Sequence, residues 1–268
     1  MAQAIQRAPL GHYRVKHVVK SEVLKILTLR STAITVALTL VAGLLVTGLV
    51  TNSDLHQGPG YYAGFDPTQD SLTGLIVAGL TGGVFGALLI TGEYASGTIR
   101  LSLAATPRRP ILLAAKIGVA SAAALVFCEL LSFASFFLGQ AVLSGGGAPS
   151  ASLGSPGALR AVVMTGVFIA LLALMSFGLG LILRSTAGAI AAFVGVVFVL
   201  PLVMRGISQR DLRYVPTNIL NNSIMSTVNQ GPGGVLRPLS PVIGLLLMAV
   251  YAAVALTAGA VLFIRRDA

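Results

Sequence analysis

Six runs of apolar residues restrict the fold of this chain more than any other feature of its sequence. They cover 31–50, 71–91, 117–140, 161–183, 187–204 and 242–264, and the only charged side chain within them is Glu129. About 20 residues of α-helix cross the roughly 30 Å hydrocarbon core of a bilayer. Charged residues make up 10% of the 268 residues, whereas ordinary soluble domains contain about 25%. The sequence therefore predicts an all-α integral membrane protein with six transmembrane helices.

The distribution of charge predicts how these helices are oriented. The net charge is +10, and the basic residues stand at the ends of the apolar runs instead of forming one patch. Lys and Arg are retained on the cytoplasmic side of membranes. The segments 51–70 and 141–158 contain neither, so we expect them outside, and we expect both termini, with the tail 265–268, in the cytoplasm. Nucleic-acid binding is not expected, because it uses a clustered basic surface.

The N-terminal segment 1–30 is basic and precedes the first span. Between Val15 and Leu29 apolar residues recur near helical spacing, with Lys16, Lys20 and Glu22 between them. This pattern predicts an amphipathic helix that lies in the membrane interface, with its basic face towards anionic lipid. A solvated tail with the same alternation is the alternative.

The polar segment 92–116 separates the second and third spans and is expected in the cytoplasm. Gly97 permits a break in the backbone, a short helix is expected from Thr98, and Pro107 stops it. We interpret the segment as the place where a cytoplasmic partner binds. Its basic residues are Arg100, Arg108, Arg109 and Lys116.

Two acidic residues lie in or next to apolar runs. Glu93, at the inner end of the second span, either forms a surface ion pair with Arg100 or Arg184, worth about 0–1 kcal/mol, or belongs to a junction that transmits motion. Glu129, in the middle of the third span, either faces a cavity and carries a proton or meets a cationic substrate, or is neutral or hydrogen-bonded to hydroxyls such as Ser132.

Glycines in the second span form a ridge that allows close approach of another helix. Whether that helix belongs to the same chain or to a second subunit is open. The ridge consists of Gly79, Gly82, Gly83 and Gly86.

The segment 205–240 is expected outside, although it contains four arginines. Its moderately apolar pieces favour a partly re-entrant loop that contains helix. Pro201, near the outer end of the fifth span, is expected to kink or end that helix.

The sequence contains no catalytic set, no metal-binding set and no phosphate-binding loop. GxSxG, HExxH, CxxC and GxxxxGK[ST] are all absent, and the single cysteine, Cys128, lies in an apolar run. If the chain uses ATP, another chain must bind it, so no cofactor is expected here.

Three stretches together resemble bacterial ABC-transporter permeases of the type-2, exporter-like class. They lie near both ends and in the centre of the chain, and the central one is the most specific. They are Ser21-Glu22-x-x-Lys25 with Leu29-Arg30-Ser31-Thr32; Gly92-Glu93-Tyr94-x-x-Gly97-Thr98-Ile99-Arg100 with Pro107, Arg109 and Ala115-Lys116; and Leu239-Ser240-Pro241 with Arg265-Arg266-Asp267-Ala268.

The resemblance implies a permease of the bacterial cell membrane that works as a homodimer. It also implies two separate ABC ATPase subunits, which bind ATP and Mg. It implies that 97–109 is a coupling helix with Glu93 at its junction, and that the N-terminal helix is an elbow on membrane lipid. The cargo would be a hydrophobic or amphiphilic drug, lipid or peptide. A proton-coupled transporter that uses Glu129, or a non-transporting scaffold, is the alternative.

Overall fold

The computed structural model describes residues 15–57, 59–106, 108–208, 211–226 and 239–265. Within these ranges there are helices and turns but no strand. Six helical stretches are long and apolar enough to cross a membrane: Arg30–Asp54, Pro67–Ala95, Arg109–Gly145, Ala158–Leu183, Thr186–Ile207 and Pro241–Arg265. The prediction of an all-α protein with six transmembrane helices is confirmed.

The α-helices of the described ranges are numbered in chain order. They are α1 (Val15–Thr28), α2 (Arg30–Asp54), α3 (Pro67–Thr73), α4 (Leu75–Ala95), α5 (Thr98–Ala105), α6 (Arg109–Gly145), α7 (Ala158–Leu183), α8 (Thr186–Val194), α9 (Leu200–Ile207), α10 (Pro216–Ile224) and α11 (Pro241–Arg265). The second span combines α3 and α4, and the fifth combines α8 and α9.

The central helix of the bundle is α7, which packs against α4, α6 and α11. Its large side chains Phe168 and Phe177 are almost completely buried. At Gly178 the backbone of α7 approaches the backbone of α11 so closely that a Cβ there would lie 2.6 Å from the carbonyl carbon of Ala255. Lipid gives helices in a membrane no hydrophobic driving force to associate. Small residues at such contacts let the helix backbones approach, and the resulting van der Waals packing holds the bundle together.

The glycine ridge of α4 packs inside the same chain. Gly79 and Gly82 face Leu172 and Ile169 of α7, where an added Cβ would meet side-chain carbons at 3.3 and 3.1 Å. Gly86 lies against the backbone of α7, and Gly83 lies against the ring of Phe193 in α8. The helices that pack on the glycine ridge are therefore α7 and α8 of the same chain, and not a helix of a second subunit.

The two ends of the bundle hold different short helices. The end that holds α1, α5 and the start of α6 is called the α5 end, and the end that holds α3 and α10 is called the α10 end. The last turn of α11 reaches the α5 end, where the Arg109 guanidinium donates to the carbonyl of Ile264 at 3.3 Å. The first and the last helix of the described chain, α1 and α11, therefore both reach the α5 end.

The fifth span is interrupted before its proline. Residues Gly195–Val199 form a π-helical turn between α8 and α9. Pro201 lies in the first turn of α9, and the helix continues to Ile207. A proline has no N–H to donate to the preceding turn of a helix. The π-helical turn lies in that preceding turn, so the kink expected at Pro201 takes the form of a widened turn just before it.

The described part of 205–240 contains a 3-10 helix, Asp211–Tyr214, and α10. Ile219, Leu220 and Ile224 of α10 are buried in the main core. The turn after α10 is fixed by Arg160 of α7, which donates to the carbonyls of Met225 and Ser226 at 2.8 and 2.9 Å. Residues 209–210 and 227–238 lie outside the described ranges, so a re-entrant path of the whole segment remains a prediction.

Candidate functional site

A short helix, α5, lies across the end of the second span. α4 ends at Ala95, and Gly97 adopts a left-handed conformation with φ of +70° immediately before α5 begins at Thr98. Glycine adopts this conformation without a Cβ penalty. α5 ends at Ala105, so the predicted short helix is present; Pro107, the expected stop, lies outside the described residues. The chain therefore turns sharply and presents an eight-residue helix at the bundle end.

Four charged side chains form a buried ion-pair network beneath α5. It consists of Glu22 and Lys25 of α1, Glu93 of α4 and Lys116 of α6. The Lys116 ammonium donates to Glu22 at 2.9 Å and also to Glu93. The Lys25 ammonium donates to the same carboxylates at 2.9 and 3.1 Å. Lys25 also donates to the hydroxyl of Ser102 at 3.0 Å, which joins α5 to the network.

The network is balanced in charge and shielded from solvent. Glu22, Glu93 and Lys116 are only 6%, 8% and 3% exposed. Two carboxylates and two ammonium groups sum to zero, and burial of charge is tolerated when partners are present. Glu93 lies in the last turn of α4, where the negative end of the helix dipole disfavours a carboxylate. The two lysines offset that repulsion, so four helix segments are held at one point.

Lys25 is the most accessible member of the network. Burial lowers its pKa, but hydrogen bonds and Coulombic attraction from Glu22 and Glu93 outweigh burial and leave the pKa raised. Lys25 therefore carries its charge throughout the physiological range.

Of the two alternatives for Glu93, the structure favours a buried junction over a surface ion pair, and transmission of motion through that junction stays a prediction. The carboxylate of Glu93 is buried and binds Lys25 and Lys116, instead of Arg100. The reason is tertiary: α1 and α6 converge on the end of α4, whereas Arg100 points outward from α5 and is exposed. Arg184, at the turn between α7 and α8, places its guanidinium 5.6 Å from the ring centroid of Tyr94. Next to it, the Thr186 hydroxyl bonds that of Thr91 at 2.9 Å, so this turn is also fixed to α4.

The two faces of α5 differ in character. Ile99 faces inward and packs in a core cluster with Ile90, Leu113 and Phe177. On the outward face Leu101 is 71% exposed. The flanking Thr98, Arg100 and Arg108 are exposed, and Arg109 is half-buried. Arginine is enriched at protein–protein interfaces, and the exposed leucine adds apolar area beside the arginines on this face.

Glu129 lies far from this network, in the middle of α6. Its carboxylate faces Gly166 of α7, where a Cβ would lie 2.7 Å from the carboxyl carbon. Its Oε1 is buried without a hydrogen-bond partner. The hydroxyl of Ser132, considered as a partner, instead donates to the carbonyl of Val162 at 2.7 Å. The carboxylate thus sits at the α6–α7 contact, with one oxygen unsatisfied.

Sequence reasoning missed three members of the network and the exposed Leu101. Glu22 was named on the amphipathic helix, Lys116 among the basic residues, and Glu22, Lys25 and Lys116 within the family-like stretches, but none of them was related to Glu93. A partial signal existed, because Lys116 is flanked by apolar residues and Glu93 follows an uncharged run. A buried group of opposite charge was the natural partner for each. Among the described residues no cluster of His, Cys, Asp or Glu could hold a metal ion.

These features define a class: a multi-pass, all-α membrane protein whose bundle carries a fixed surface helix over a buried ionic junction. A family profile described as ABC-2 family transporter protein matches residues 17–268. The chain belongs to this family of ABC transporter membrane proteins. A search of curated proteins finds no match.

Proposed function

We propose that the chain is the permease subunit of an ATP-driven ABC exporter and works as a homodimer with two separate ATPase subunits. The observation that carries the proposal is the structure of α5. It exposes Leu101 and Arg100 on one face, and its other face is tied through Ser102 and Lys25 to three further helices. A partner that pushes on α5 would therefore displace α1, α4 and α6 together.

The charge distribution supports a cytoplasmic position for the α5 end. Lys and Arg are retained on that side of a membrane. Of the described basic residues, three lie at the α10 end: Arg160, Arg205 and Arg213. The remaining ten lie at the α5 end: Lys16, Lys20, Lys25, Arg30, Arg100, Arg108, Arg109, Lys116, Arg184 and Arg265. This orientation puts both ends of the described chain in the cytoplasm, and the membrane would be a bacterial cell membrane.

In the proposed cycle the partner ATPases bind ATP and Mg and close on each other. Closure presses on α5, and the ion-pair network passes the displacement to the spans. Members of the ABC-2 family normally pair with ABC ATPases. The permease itself contributes binding and movement and no hydrolysis. The cargo, a hydrophobic or amphiphilic drug, lipid or peptide, would pass between two copies along the second and fifth spans.

The test is co-purification of the full chain with a co-expressed candidate ABC ATPase, followed by ATP turnover in lipid. The variant Arg100→Glu/Leu101→Asp changes the outward face of α5 and leaves the network intact. Arg30→Glu, at the exposed start of α2, is the control, because it reverses the charge of one exposed arginine, as Arg100→Glu does, but outside α5. We expect the α5 variant to retain at most a tenth of the ATPase and the control to retain all of it. Equal retention by both variants would refute docking at α5.

A second candidate function, proton-coupled transport, is favoured by one observation. Glu129 places a carboxylate in the middle of a span with one oxygen unpartnered. Acidic groups at such positions serve proton relays in transporters. This function predicts transport that a protonophore abolishes, that Glu129→Gln also abolishes, and that persists without any ATPase. ATP-driven transport instead predicts that transport stops when the ATPase is absent.

A further inference from the structure

A long apolar groove runs beside the ion-pair network on the outer surface of the bundle. It has a volume of about 1070 Å³ and is lined by α1, the start of α2, Phe85 of α4 and α6. Of the described residues that line it, Thr32 is the only polar one. Ligand pockets in proteins have volumes of about 300–1,000 Å³, so the groove is large enough for a lipid-sized molecule.

The groove is long enough to hold an acyl chain that lies along the membrane normal. Its lining on α6 extends from Ile111 to Leu130, a rise of about 28 Å at 1.5 Å per residue. One leaflet of hydrocarbon is about 15 Å thick, half of the ~30 Å core. Small residues keep the groove open: a Cβ added to Gly118 would meet nothing within 4 Å. An acyl chain of the adjacent leaflet therefore fits within the groove and covers about half of its length.

The α1 side of the groove carries uncompensated positive charge. Val15 and Val19 line the groove, and the adjacent Lys16 and Lys20 are exposed. Neither lysine has a carboxylate partner among the described residues. The only acid of α1, Glu22, is turned inward and neutralised by the network. A headgroup at the α1 border would thus meet cations without competing anions.

We propose that this groove holds the acyl chains of one anionic glycerophospholipid as a resident ligand. The lipid belongs to the leaflet at the α5 end, which is the cytoplasmic one in the proposed orientation. Its chains pack between α1 and α6, and its headgroup binds Lys16 and Lys20. This ligand is distinct from the cargo, because the described lining of the groove lies mainly on α1, α2 and α6, with Phe85 alone from the second span and no residue of the fifth.

The bound lipid would also protect the ion-pair network. Ile26, Thr32 and Val119 line the groove, and they also line a smaller cavity that reaches Glu22, Glu93 and Lys116. These shared side chains lie between the groove and the cavity that reaches the charges. Acyl chains in the groove keep water from those side chains, and water there would weaken the ion pairs by raising the local dielectric constant.

The test is native mass spectrometry of the purified full chain, delipidated and then titrated with dioleoylphosphatidylglycerol or dioleoylphosphatidylcholine. Gly118→Leu/Ala122→Leu fills the groove, and Ala253→Leu, on the exposed surface of α11, is the matched control. We expect one tightly retained phosphatidylglycerol on the wild type and the control, and at least a tenfold loss on the filled variant. Lys16→Gln/Lys20→Gln should reduce the preference for phosphatidylglycerol over phosphatidylcholine at least threefold.

Equal lipid retention by the filled variant and the control overturns the proposal, as does an unchanged headgroup preference in the lysine variant. A groove-dependent loss of dimer mass with no change in bound lipid would identify a second copy of the chain as the occupant and would also overturn it. The lysine variant changes only exposed side chains, so its result decides the question even if the filled variant does not fold.

Discussion

Replacement of Lys116 by methionine tests whether the ion-pair network holds the α5 end together. Lys116 is 3% exposed and binds both Glu22 and Glu93. Its loss leaves two buried carboxylates that share one lysine, Lys25, whose side chain is 31% exposed. Removal of one partner from a buried ion pair costs about 3–5 kcal/mol. We expect Lys116→Met to be destabilised by that amount.

The comparison variant is Lys25→Met. It removes a more accessible lysine and leaves Lys116 bound to both acids, so its cost should be about 1 kcal/mol or less, as for exposed ion pairs. Adding Glu93→Gln to Lys116→Met removes the unbalanced carboxylate. The double variant should recover at least half of the lost stability.

Thermal unfolding in detergent provides the assay. The chain contains no Trp, but its single cysteine, Cys128, is buried and becomes reactive towards a thiol-specific fluorophore on unfolding. At about 2–4 °C per kcal/mol for a chain of this size, Lys116→Met should unfold roughly 6–20 °C below the wild type. Equal, small shifts for both lysine variants, or no recovery with Glu93→Gln, would refute the role given to charge balance.

Three further predictions concern the packing of α4, a hydrogen bond outside the α5 end, and the pH dependence of stability. Gly86→Ala should lower the unfolding temperature by several degrees, because its Cβ would meet the backbone of α7, whereas Gly92→Ala, with nothing within 4 Å, should leave it unchanged or slightly raised. Tyr61→Phe should cost about 1–3 kcal/mol, measured in the same assay, because the Tyr61 hydroxyl is the side-chain donor to the buried Asp54 at 2.9 Å. Because the pKa of Lys25 is raised, its stabilising effect is complete below the unfolded-state pKa of about 10.4 and is lost at higher pH; the stability difference between wild type and Lys25→Met should shrink above that pH.

The number and type of helices could be predicted from sequence because long uncharged runs have few alternatives. A bilayer leaves backbone groups no partner except within a helix or a closed barrel. Helix ends were less accessible to prediction. The third span was expected at 117–140, but α6 extends from Arg109 to Gly145. Polar residues at a helix end and polar residues in a loop have the same hydropathy, so the boundary depends on capping and packing.

The position of α5 could be predicted, but the network beneath it could not. Gly97 marked the break locally, and the left-handed conformation follows from the residue itself. In contrast, Glu22 and Lys116 are 94 positions apart, and no spacing rule relates them. Their meeting depends on α1 folding back over the start of α6, which is a property of the tertiary structure. The same holds for the glycine ridge, whose residues were evident while its partners were not.

The unbroken length of α6 has a mechanical consequence. Its 37 residues correspond to a rod of about 55 Å, with no proline beyond its first turn and no π-helical segment. One end is held at Lys116 by α1 and α4. Near the other end Gln140 donates to the carbonyl of Pro67 and the hydroxyl of Ser71 in α3, at 2.8 and 2.9 Å. We therefore expect a tilt imposed on α6 at the α5 end to appear at the α10 end as a movement of α3.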